Sequence, residues 1–145
     1  MNLAANIDFI SVISNGAINQ MSSPMDEVNL ITQGLTVSGL LKFIRAMEWD
    51  SNTVARVFRT TKRTLDHHVK NKKLLSMSIS ENAVDVARIT TIGAAYFGSI
   101  ERWKKWLETP HVQFGKEPPE TVLHALRGRE LIKRIILGLE YGFAT

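Results

Sequence analysis

Apolar residues recur along this chain at spacings of three and four, one segment after another, and never in the alternation of a half-buried strand. Leu40, Leu41, Ile44 and Met47 form one face of a helix predicted over 37–48 and capped by Thr36. A shorter helix follows, capped by Asp50 or Ser51 and running to about Phe58, with Val54, Ala55 and Phe58 inward. Thr60 or Thr61 caps the next, whose inner side is marked by Leu65 and Val69. The stretch Trp49 to Lys73 (WDSNTVARVFRTTKRTLDHHVKNKK) thus reads as two short helices joined by a tight turn. Upstream, 25–33 carries Asp26 and Glu27 in its first turn, where they complement the helix dipole. Val28 and Ile31 give that segment an apolar side, and Gly34 a C-terminal cap.

Downstream, a long helix capped by Ser78 or Ser80 runs to about Phe97. Its apolar positions cover more than one stripe, as in a helix packed on two sides, so it reads as a spine joining two blocks. Ser99 opens a helix with Ile100, Trp103, Trp106 and Leu107 on one face, and Pro110 stops it. The two tryptophans, three apart, read most simply as core. HVQFGKEPP is a loop leading into a helix with proline in its first turn, ending near Gly128. A last helix, 129–140, is expected to bury Leu131, Ile132, Ile135, Ile136 and Leu139. The predicted class is all-α, a helical bundle. Its expected divisions are an N-terminal arm (1–24), a helix-turn-helix domain (25–77) and a C-terminal helical domain (78–145). Ile7, Ile10 and Ile13 in the arm lie at roughly helical spacing, but Phe9 and Val12 blur the pattern. A short helix, a partner-ordered arm and a disordered stretch all fit.

Charge changes the picture. The net charge of +4 is uneven: −3 over residues 1–35, +6 over 36–75 and +1 over 76–145. The positive excess lies on the two-helix stretch, as an electrostatic footprint on phosphate would. At about 100° per residue, Lys62, Arg63, Asp66, His67 and Lys70 share an arc of about 140° away from Leu65, the geometry of a helix that enters a DNA groove. Ala55 provides the small residue where the first helix meets the second, and Leu65 the core anchor ten positions later. Arg59 stands in the turn where glycine is usual, so a differently shaped turn is expected. A helical hairpin with a solvated basic face fits the same residues.

Other chemistries are excluded. The chain has no cysteine, which removes disulfides, thiol catalysis and cysteine zinc sites and fits a reducing cytosol. It has no HExxH, P-loop, GxGxxG or nucleophile elbow. His67 and His68 are adjacent on a helix and diverge by about 100°. No metal site, cofactor or enzyme is expected. No apolar run approaches the roughly 20 residues of a membrane span, and no basic residue precedes the apolar N-terminus, so a cytoplasmic protein is expected.

The C-terminal half adds a pattern of its own. KKLLS (Lys72 to Ser76) is followed by a helix ending AAYFG (Ala94 to Gly98), then Trp106-Leu107, Pro110, Phe114-Gly115 and Pro118. Last come Gly128, Ile132, Ile136 and LEYG (Leu139 to Gly142). In this order and spacing, residues 28–145 resemble the Xre/MbcA/ParS family of antitoxins, in which an Xre-like helix-turn-helix precedes a toxin-binding domain. Three positions depart: Phe114 where leucine is common, no second glycine after Gly115, and Gly138 within the last helix. The resemblance implies a type II antitoxin that dimerises, covers the active-site cleft of an NAD-depleting RES-class toxin, and represses its own operon. It would itself bind no NAD.

Carried onto this chain, operator contacts fall to Lys62, Arg63, His67 and Lys70, with Arg59 and Lys72 or Lys73 on phosphates. For toxin contact the residues suggest the polar side of the last helices, Arg127, Arg129, Lys133 and Arg134, beside the aromatic tail Tyr141 and Phe143. An ordinary packed terminus accounts equally well for any one of these. A free-standing dimeric repressor without a toxin partner is the alternative from another class.

Overall fold

The computed structural model describes residues 6–140, and within them the chain is a succession of helices. These are α1 (Phe9–Ile13), α2 (Pro24–Gln33), α3 (Val37–Met47), α4 (Ser51–Phe58), α5 (Lys62–Lys70), α6 (Met77–Phe97), α7 (Ile100–Glu108) and α8 (Leu126–Glu140). Two 3-10 turns, Val112–Phe114 and Pro119–Val122, lie between α7 and α8. The only β feature among the described residues is one isolated bridge, His111 to Glu117. The all-α class is as expected.

Side chains that compete with helical hydrogen bonding sit where they terminate helices instead. Ser23, Thr36, Asp50, Thr61 and Ser99 each accept the backbone N–H three residues on. The cap of α6 differs from expectation: Ser76 accepts from the Ile79 N–H at 3.1 Å. Ser80, one of the two expected caps, is fully buried, and its hydroxyl accepts from the Leu35 N–H at 2.9 Å.

The described residues divide into two compact units, 8–88 and 6–7 with 89–140. The expected boundary at 77/78 coincides with the start of α6. The compact division falls inside that helix, which contributes 77–88 to one unit and 89–97 to the other.

In the first unit the core is aromatic. Phe43 meets Phe9, Trp49 and Phe58 edge-on at centroid distances of 6.0, 5.8 and 6.2 Å, each pair worth about 0.5–1.5 kcal/mol beyond its buried area. Of the three readings left open for the N-terminal stretch, residues 9–13 take the short helix. Asp8 caps it, and Phe9, Ile10 and Ile13 are buried with it against α3. By contrast α2 buries none of its residues, and Val28 is half exposed. That helix is held partly by Glu27, which forms a forked ion pair with Arg88 of α6.

In the second unit Trp103 is fully buried and stacks on Trp106 at 5.6 Å. Gly93 makes room for it, since a Cβ there would stand 2.3 Å from the indole Cε3. Here the structure corrects one element. The helix expected to run from Pro119 to Gly128 is a single 3-10 turn, and Gly128 lies inside α8. The chain reverses tightly at 123–125, bringing the Gly128 Cα against the Val122 carbonyl, 2.1 Å from where a Cβ would be. Only glycine permits that approach.

Candidate functional site

The α4–turn–α5 pair is built around Leu65, the only buried residue of α5. Arg59 takes the left-handed conformation (φ 54°, ψ 40°) and donates its N–H to the Ala55 carbonyl at 3.0 Å. The turn therefore has the shape that glycine would give it, at a conformational cost of about 1 kcal/mol for a residue with a Cβ. The expectation of a differently shaped turn does not hold. Val69 also departs from expectation: it is 51% exposed. On α5 it lies about 40° from Leu65 and only about 20° from Lys62 around the axis, at the edge of the solvent arc.

Arg59, Lys62, Arg63, His67, Lys70, Lys72 and Lys73 are all exposed. Lys72 also has a left-handed backbone (φ 52°), and Lys73 donates its N–H to the His68 carbonyl at 2.9 Å, closing the end of α5. Lys70, Lys72 and Lys73 there complement the negative end of the helix dipole. Lys62 and Arg63 do the opposite. They occupy a first turn that carries no acidic residue, where each cation opposes the dipole. An anion in front of α5 would offset that opposition. Around the ring nitrogens, His68 Nδ1 donates to the Thr64 carbonyl at 2.9 Å, whereas those of His67 lie 3.3 Å from the Asn71 side-chain amide.

Asp50 fixes the start of α4. The Thr53 N–H, 2.8 Å from its carboxylate, holds its pKa below the ordinary value of 3.8, helped by the Thr53 hydroxyl and Arg56. A depressed carboxylate stabilises the fold fully above that ordinary value, and the contribution is lost as pH falls through the lower folded-state value.

In the second unit α8 sorts the residues read as toxin contacts. Arg127 and Arg134 are exposed on one side, Arg127 within 3.7 Å of Glu130, and Lys133 is half-buried. Arg129 is a correction. It is only 6% exposed, and its guanidinium donates to the Leu123 carbonyl at 2.9 Å. Its spacing explains this: Arg129, Ile132 and Ile136 fall at i, i+3 and i+7, on the buried stripe. Arg129 thus braces the turn into α8 from inside. Replacing it with alanine is expected to lower the stability of the chain by about 1–3 kcal/mol, measured by urea unfolding; an unchanged midpoint would contradict this role. Tyr141 and Phe143 lie outside the described residues.

Sequence reasoning missed a cleft in this unit. It encloses about 850 Å³ and is lined by Tyr96, Phe97, Trp106, Pro110, His111, Val112, Gln113, Ile135 and Leu139. Trp106, expected in the core with Trp103, is half-buried and forms its floor, with the Phe97 ring at 5.5 Å and the His111 ring at 5.3 Å. His111 Nε2 lies 3.3 Å from the Trp106 carbonyl. The wall at 111–117 is stiffened by the His111–Glu117 bridge, by left-handed Gly115 and by Phe114 packed edge-on to Trp106 at 5.9 Å. The sequence signal was an apolar residue, Val112, in a segment otherwise read as loop.

No helix of the described residues is long and apolar enough to cross a membrane. Residues 93–142 match the family model of the antitoxin Xre/MbcA/ParS C-terminal toxin-binding domain. Over 133 residues, 83% of this chain and 82% of the relative, the sequence is 23% identical to the Prs ADP-ribosylating antitoxin of Sphingobium sp. (strain YBL2). The cleft, α7 and α8 all fall within the matched segment. Residues 93–142 are thus similar to the C-terminal toxin-binding domain of the Xre/MbcA/ParS antitoxins.

Proposed function

We propose that this chain is the antitoxin of a type II toxin–antitoxin pair. Its C-terminal domain, 78–145, binds a RES-class toxin that depletes NAD and covers that toxin's active site. The observation that carries the reading is the toxin-binding domain match at 93–142, in a unit that offers a preformed apolar cleft. The name of the Sphingobium relative speaks of ADP-ribosylation, which also spends NAD, so hydrolysis and transfer are both open to the partner.

The regulatory half of the proposal is the N-terminal unit. Residues 25–77 act as an Xre-like helix-turn-helix that represses the protein's own operon as a homodimer, with α5 in the major groove. Lys62, Arg63, His67 and Lys70 reach the operator, and Arg59, Lys72 and Lys73 its phosphates. Their shared exposure, the glycine-like turn at Arg59 and the cations in the first turn of α5 support this.

The test is co-expression with the toxin encoded beside this chain's gene. This chain should copurify with that toxin and restore growth. If it does neither, the antitoxin reading fails, and a free-standing repressor becomes the better account.

A further inference from the structure

The cleft of the C-terminal unit has three properties that together select one kind of occupant. First, none of its lining residues is an aspartate, glutamate, lysine or arginine, in a chain whose composition is 22% charged. A nucleotide or other phosphorylated ligand would find no lysine or arginine to neutralise it there. Second, its lip is apolar and open to water: Val112 is 81% exposed and Tyr96 40%. Sites for small molecules bury such surface within the pocket, whereas an exposed apolar lip around an uncharged centre is the anatomy of a protein interface. Third, the lip is held in place before any partner arrives. His111 N–H donates to the Glu117 carbonyl at 3.2 Å, Lys116 N–H donates back to His111 at 3.0 Å, and Phe114 anchors the turn beneath. A rigid apolar anchor loses little entropy on docking, which is what a binding hot spot requires.

We propose that the toxin docks here, seating an aromatic or branched apolar side chain in the cleft over Trp106 while Val112 inserts into the toxin's own surface. This rests on the toxin-partner reading and goes beyond it. The binding energy lies in the uncharged cleft between α6, α7, the 111–117 turn and α8. The basic residues Arg127 and Arg134 on the outer side of α8 form a solvated rim whose substitution changes affinity little.

Two full-length variants test this against the purified neighbouring toxin by calorimetry, Val112→Asp and Tyr96→Ala. Both positions are exposed, on different elements, so misfolding of one leaves the other to decide, and thermal melting identifies which variants are folded. The folded variants are expected to bind the toxin about 30-fold or more weaker than the parent chain. Toxin binding within twofold of the parent by every folded variant overturns the inference while leaving the antitoxin reading intact. No binding by the parent chain itself defeats the antitoxin reading and this inference with it. A photo-crosslinker at position 112 is expected to capture the toxin; capture of only a second copy of this chain would mark the cleft as a self-association surface and also overturn the proposal.

Discussion

Replacing Gly39 with alanine is expected to cost the protein about 3 kcal/mol of stability, a large share of the 5–15 kcal/mol that folded domains usually have. On helix propensity alone the change should help, by about 0.5–1 kcal/mol, because Gly39 lies in the first turn of α3 with no left-handed backbone. Packing reverses the sign. A Cβ at this position would stand 2.1 Å from the Ile13 carbonyl oxygen and 2.8 Å from its carbon. Both are backbone atoms at the end of α1, and no rotamer change can move them. To admit the methyl group, α1 must lift from α3, and it carries Phe9, Ile10 and Ile13, each at most 2% exposed. Overpacking by one methyl costs about 1–3 kcal/mol, and partial exposure of these side chains, worth about 1.5–3 kcal/mol each, adds to it. Urea unfolding monitored by tryptophan fluorescence would show the fall in midpoint. A loss below about 1 kcal/mol would mean that α1 is not the fixed part of the core described above.

The second large effect concerns DNA. The triple variant Lys62→Ala, Arg63→Ala, Lys70→Ala is expected to lose at least about 100-fold in affinity for the promoter fragment upstream of its own gene. Each base contact removed costs about 1–3 kcal/mol, and each phosphate contact removed flattens the dependence of log K on log salt by about 0.9. A salt series by fluorescence anisotropy separates the two kinds of contact. The fold should survive, because all three side chains are exposed and two of them oppose the dipole of α5. If the triple variant still shifts the promoter fragment with parental affinity, α5 does not read the operator.

How much of this was legible in the sequence follows from the range of the forces involved. Helix caps and apolar stripes are local, so α3, α4 and α5 could be placed from Thr36, Asp50 and Thr61 and from the three-and-four spacing of their apolar residues. The misplaced features depend on contacts between distant segments. Gly39 carries no local sign of its role, which Ile13, 26 positions earlier and packed against it, supplies. Ser80 looks like a cap until the Leu35 N–H takes its hydroxyl. Likewise, Pro119 to Gly128 reads as one helix, because nothing local reveals that Gly128 must touch the Val122 carbonyl.

Charge misled in a different way. By charge Arg129 groups with its basic neighbours, although its spacing to Ile132 and Ile136 puts it on the buried stripe. The reverse held for Trp106, which composition assigns to the core and the fold brings half into a cleft. The segment 111–117 has no helical or strand period, so its role as a rigid wall could be seen only once Phe114 and the His111–Glu117 bridge were in place.

Nicotinamide release measures most directly whether this chain holds an NAD-spending toxin shut, because hydrolysis and ADP-ribosyl transfer both liberate nicotinamide from NAD. Purified toxin supplied with NAD is titrated with this chain. The prediction is that nicotinamide release falls in proportion to added chain and stops at a fixed whole-number ratio, with the chain itself releasing none. Undiminished release at a severalfold excess of folded chain would contradict the account.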